Sequence, residues 1–87
     1  MIVVSNVTGP STIGPFLWEG GQTQMTVQMN GTGSIKFQLL DEIGGTDTML
    51  SVSGPGFLQG SMPPGNYQVV VPSTAYNVSV SLLHILN

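Results

Sequence analysis

The stretch Gln24-Met25-Thr26-Val27-Gln28-Met29-Asn30-Gly31-Thr32-Gly33-Ser34-Ile35-Lys36-Phe37-Gln38-Leu39 decides the fold class. Its apolar residues recur at every second position: Met25, Val27 and Met29, then Ile35, Phe37 and Leu39. Gln24, Thr26, Gln28, Lys36 and Gln38 lie between them. Side chains of a strand point alternately to opposite faces, so this pattern makes two half-buried strands rather than a helix. Asn-Gly tolerates the positive φ values of a tight type I′ turn, which predicts that the two strands form a hairpin closed at Asn30-Gly31.

The same period extends in both directions. Asp41-Glu42-Ile43-Gly44-Gly45-Thr46-Asp47 is rich in turn residues. A short strand follows from Met49 to Val52, stopped by Gly54-Pro55-Gly56, and another covers Phe57 to Met62. Pro63-Pro64-Gly65-Asn66 is a turn, because Pro fixes φ and Gly or Asn accepts the left-handed region. Beyond it Tyr67, Val69 and Val71 alternate until Pro72. The last run, Tyr76 to Leu86, places Tyr76, Val78, Val80 and Leu82 opposite Asn77, Ser79 and Ser81, and its β-branched content argues for a strand. With the weaker segments Ile2-Val4 and Phe16-Trp18, roughly eight short strands at turn spacing predict an all-β, antiparallel β-sandwich that is jelly-roll-like. No linker or repeat divides the chain, so residues 1–87 are expected to form one domain, with 1–10 a candidate N-terminal arm.

Composition narrows the function. A chain of 87 residues has a thin core, and small domains offset this with disulfides, metals or oligomerisation. There is no Cys, one His (His84) and four carboxylates (Glu19, Asp41, Glu42, Asp47), which favours oligomerisation. Only 6% of the residues are charged, against about 25% in an ordinary soluble domain. The lone cation, Lys36, cannot supply the basic footprint that nucleic acid requires. No apolar run approaches the length of a membrane span, and no secretory leader is expected from Met1-Ile2-Val3-Val4 followed by Ser5-Asn6 and Gly9-Pro10. The N-x-S/T triplets at Asn6, Asn30 and Asn77 are attributed to chance in a chain rich in these residues.

Chemistry finds little support. His84, Asp47 and the serines lack the local signature of a hydrolytic triad. Asp41, Glu42 and Asp47 do not follow the alternating ligand spacing of an EF-hand loop. Asp41 and Glu42 are adjacent, so on a strand they point apart and cannot flank a glycosidic bond. No catalytic residue, metal ligand or cofactor is therefore expected. Phe16, Trp18 and Phe37 are expected as core anchors, since aromatic rings bury the most apolar area per residue. Tyr67 and Tyr76 are the residues available for a glycan-stacking platform.

The C-terminal strand breaks its own pattern. Leu83 and Ile85 replace the polar residues that occupy that face earlier, so both faces become apolar and one needs a cover. Natural sheets protect open edges with charge, Pro or bulges, and this chain has few charges to place there. The apolar segments Ile2, Val3 and Val4 and the pair Leu83 and Ile85 are accordingly the expected interface residues.

The block Gly14-Pro15-Phe16-Leu17-Trp18-Glu19-Gly20-Gly21, with Asn30-Gly31-Thr32-Gly33, Gln38-Leu39-Leu40 and Pro63-Pro64-Gly65-Asn66-Tyr67-Gln68-Val69, resembles small head decoration (cement) proteins of tailed bacteriophages. The likeness covers most of the chain after Ser11. It implies a β-sandwich that forms a homo-oligomer, expected as a homotrimer, and binds the major capsid protein on the exterior of the virion without catalysing a reaction. Relatives carry an Arg near the Gly-Gly turn and another in the last hairpin, where this chain has Gln22 and Gln68, so ionic contacts made by those arginines are absent here. The second expectation is a head- or tail-fibre adhesin binding host glycans.

Overall fold

The computed structural model describes residues 2–85. Eight strands follow one another: β1 (Ile2–Val7), β2 (Ser11–Trp18), β3 (Gly21–Gly31), β4 (Ser34–Leu40), β5 (Thr46–Ser53), β6 (Gly56–Met62), β7 (Gly65–Val71) and β8 (Ala75–His84). They form two four-stranded antiparallel sheets, sheet A in the order β1-β8-β3-β6 and sheet B in the order β2-β7-β4-β5. The pairs β1–β8, β2–β7, β3–β6 and β4–β5 nest like one long hairpin. Wrapping that hairpin adds the β3–β8 and β4–β7 ladders, and the result is a jelly roll. The candidate N-terminal arm runs as β1, paired along β8. Leu86, where the last strand was expected to end, lies outside the described residues.

The inward-facing side chains are those the period selects. Met25 and Val27 of β3, Ile35 and Phe37 of β4, Tyr67, Val69 and Val71 of β7, and Val78, Val80 and Leu82 of β8 are all buried between the sheets. Phe37 is the hub of the sheet B side. Its ring stacks on Tyr67 with centroids 4.5 Å apart and on Phe16 at 6.2 Å, and meets Trp18 edge-on at 6.2 Å. Of the expected anchors, Phe37 and Trp18 are buried, and Phe16 packs half-buried against them.

Two expectations are corrected. β3 and β4 do not form a hairpin: they lie in opposite sheets, Asn30-Gly31 ends β3 still paired with β8, and Thr32-Gly33 carries the chain across the sandwich. A type I′ turn needs positive φ at both central residues, whereas Gly31 has φ 87° and Asn30 is not among the positive-φ residues. The crossing is tied to the β7–β8 connection, where Thr32 N donates to Thr74 O at 3.0 Å and Thr74 Oγ1 donates to Thr32 O at 2.9 Å. Among the described residues, the one hairpin between sequential strands joins β4 to β5 through the acidic loop. There Asp41 Oδ1 accepts from Ile43 N at 3.1 Å and Gly45 N at 2.6 Å, so this carboxylate shapes its own turn.

The second correction concerns Tyr76. A register shift between β3 and β8, beside Asn77 at φ 51°, reverses the alternation at the start of β8. Ala75 turns inward and Tyr76 outward, half exposed. A bulge inserts one extra residue and so exchanges the two faces.

Tyr67 is fully enclosed and its hydroxyl donates to the Pro63 carbonyl. Burial pushes its phenol above the ordinary value of 10.0. The folded state thus holds this proton more tightly than the unfolded chain does, so the contribution is fully present below the unfolded value and is lost as pH rises through the folded one. Urea midpoints measured near about pH 8 and about pH 11 should fall for the native protein more than for Tyr67→Phe, which has no proton to lose. Equal falls in the two proteins would exclude Tyr67 as the source.

Candidate assembly surface

Sheet A collects residues that lie far apart in sequence into one face. Across its outer side the register aligns Val3 of β1, Ser81 of β8, Thr26 of β3 and Phe57 of β6 in one row, and Leu83, Gln24 and Gln59 in the next. Opposed residues in antiparallel strands share a face. Val3 is 59% exposed, Phe57 61% and Leu83 44%. A shallow depression of about 210 Å³ lies between β1, β8 and β3, lined by Val3, Thr26, Gln28, Ser79, Val80 and Ser81.

None of the four strands of sheet A contains Asp, Glu, Lys or Arg. Lys36 and Asp47 belong to sheet B, Asp41 and Glu42 to its hairpin loop, and Glu19 to the β2–β3 connection. Three polar side chains of the outer face bond to one another: Gln59 Nε2 donates across to Gln24 Oε1 at 2.9 Å, and Gln24 Nε2 along β3 to Thr26 Oγ1 at 3.2 Å. Covering neutral amides that already have partners costs far less than covering an ion, which must be stripped of its hydration.

No protein-family model, curated protein or solved structure matches the chain.

The expected interface residues divide between the faces. Val3 and Leu83 point outward from sheet A as near neighbours, one row apart. Ile2 and Val4 oppose the buried Leu82 and Val80 and therefore face inward, Ile2 packing on the core. Ile85 is half-buried, and its N–H donates to Gln22 O at 2.9 Å. Phe57, which sequence reading left unassigned, joins the outer apolar set. Its signal was present in the adjacent pair Phe57-Leu58, but its neighbours come from β3, distant in sequence.

The opposite side of the sandwich differs. Gln68 donates to Gln38 at 2.8 Å and Gln38 to Thr48 at 3.2 Å, a second amide ladder on the outer face of sheet B. Gln68, where the resemblance expects an arginine in relatives, thus forms the end of this ladder, with Gln38 as its middle link.

At one end the sheets are joined by polar contacts. Trp18 Nε1 donates to Thr23 Oγ1 at 2.9 Å, and Thr23 is the one buried polar residue among those described. His84 lies against the Trp18 ring at 4.9 Å, with Nδ1 2.7 Å from Glu19 Oε1 and Nε2 facing the Gly20 carbonyl. Both partners are acceptors, so the imidazole is engaged on both nitrogens in holding the β2–β3 connection against the end of β8. No group of three or more potential metal ligands occurs among the described residues. The two tyrosines do not make a stacking platform: Tyr67 is enclosed in the core and Tyr76 alone is exposed.

Proposed function

We propose that this protein is a structural virion component that decorates the exterior of a tailed-phage capsid, as a homotrimer bound to the major capsid protein lattice and without catalytic activity. The observation that carries this reading is sheet A, whose strands hold no Asp, Glu, Lys or Arg, with Val3 and Leu83 exposed on its outer face. Such a face favours contact with protein, because apolar area is removed from water and no ion has to be desolvated. Sheet B and its acidic hairpin then remain toward solvent. A decoration protein is held at several points at once, so each contact can be weak and still give durable attachment. The phage assignment itself rests on the sequence resemblance.

The test is the double variant Val3→Asp, Leu83→Asp. Both positions are exposed, so the thermal midpoint should change little, surface substitutions being worth about 0.5 kcal/mol or less each. Burying an unpaired carboxylate at an interface costs several kcal/mol, so self-association and retention on undecorated capsids should weaken by about 100-fold or more. Light scattering and co-sedimentation with capsids read the two effects. A folded double variant that assembles and binds normally removes this face from the interface.

A further inference from the structure

Four strands lie at sheet edges, and three of them carry the features that block edge pairing. β1 contains a register shift between Val4 and Val7 with Asn6 at φ 57°, and β2 contains a shift with Gly14 and Pro15 inside it. β5 carries Asp47 and a shift against β4. β6 differs: Gly56–Met62 contains no charge and no Pro and pairs with β3 over seven consecutive positions without a shift. Its other side is a row of backbone groups hydrogen-bonded to no strand among the described residues, although β5 of the opposite sheet packs nearby through Leu50, and it lies next to the exposed Phe57 and the half-uncovered Leu58. Natural proteins protect such edges, and one left regular and neutral is suited to pairing.

The residues of β6 also indicate what pairs with it. If two antiparallel copies meet with Gln59 on a two-fold axis, Leu58 faces Gly60, Phe57 faces Ser61 and Gly56 faces Met62, each pair twice. A large side chain meets a small one at every position, and the glutamine meets itself. We infer that β6 is a two-fold pairing edge for a second copy of this chain, joining two copies of sheet A into one eight-stranded sheet centred on Gln59. The Gln24–Gln59 amide ladder then continues across the axis to the partner copy. A two-fold contact of this kind is isologous and closes on itself. It uses a strand edge, whereas the proposed capsid and trimer contacts use the outer face, so the inference rests on the assembly reading but not on its surface.

The test exploits the symmetry. Gln59→Glu alone and Gln59→Lys alone each place like charges opposite one another, and each should weaken pairing about tenfold. Mixing the two in equal amounts should restore it, as heterodimers, in sedimentation velocity. Because the chain has no cysteine, Gln59→Cys supplies a single thiol, and mild oxidation should yield a two-chain band on a non-reducing gel, while Ser51→Cys on sheet B should not. Restoration on mixing also shows that both variants are folded. A Gln59→Cys protein that stays single-chain, together with charge variants indifferent to mixing, overturns the β6 pairing even if the native protein still assembles through Val3 and Leu83. Restoration at Gln59 with no effect of the Val3 and Leu83 substitutions instead overturns the outer-face reading and keeps this one.

Discussion

Phe37→Ala should lower the thermal midpoint by about 15 °C or more. Phe37 has no exposed surface and its ring touches Phe16, Trp18 and Tyr67, so truncation removes the member that all three share. Large aromatic-to-alanine changes in cores cost about 3–5 kcal/mol. A domain of this length has about 4–13 kcal/mol of total stability, and each kcal/mol corresponds to about 4–8 °C at this size. Phe37→Leu keeps most of the volume and should cost markedly less. Circular dichroism melts of the two variants make the comparison. A fall of only a few degrees in Phe37→Ala would mean that the three neighbouring rings collapse into the space, and that the cluster is not the centre of the core.

Gly31→Ala should be nearly as damaging. A Cβ at Gly31 would sit 2.2 Å from the Thr74 carbonyl oxygen, a backbone atom that cannot rotate away, and the φ of 87° is unfavourable for any side chain. The left-handed conformation alone costs about 1–2 kcal/mol, and relieving the clash requires moving the β7–β8 connection bonded to Thr32. A loss of about 3 kcal/mol or more is expected in urea titration. Asn30→Ala should change stability by about 0.5 kcal/mol or less, because Asn30 is exposed and lies outside the left-handed region. In a type I′ hairpin both positions would be sensitive, so the contrast between neighbours tests the crossing directly.

That contrast also marks what sequence reading can and cannot reach. Alternation identified Met25, Val27, Ile35, Phe37, Tyr67, Val69 and Val80 as inward, because the face a side chain occupies depends only on its own strand. Which strand lies beside it is decided by residues far away. Asn30-Gly31 suits a hairpin or a crossing equally well, and the choice follows from β3 finding β6 and β8 while β4 finds β5 and β7. Tyr76 was misassigned because one residue of bulge reverses the parity, and nothing local announces it except an Asn at positive φ. The candidate assembly surface was half legible. Val3 and Leu83 stood out as apolar residues in doubtful places, but their adjacency, the inward turn of Ile2 and Val4, and the confinement of every Asp, Glu, Lys and Arg outside sheet A emerge only when β1, β8, β3 and β6 are set side by side.

The position of β8 between β1 and β3 has a kinetic consequence. Sheet B is complete once β7 has formed, but sheet A has no centre until residues 75–84 arrive, and β1 then pairs across almost the whole length of the chain. A chain emerging from synthesis therefore holds β1 apart from the β3–β6 pair with the ladders that β1 and β3 make to β8 still open, and closure comes as one late step with a high entropic cost of bringing distant segments together. Contacts of such long range fold slowly. The outer face of sheet A comes into being in that same step, so the row that sets Val3 beside Ser81, Thr26 and Phe57 does not exist until β8 is in place.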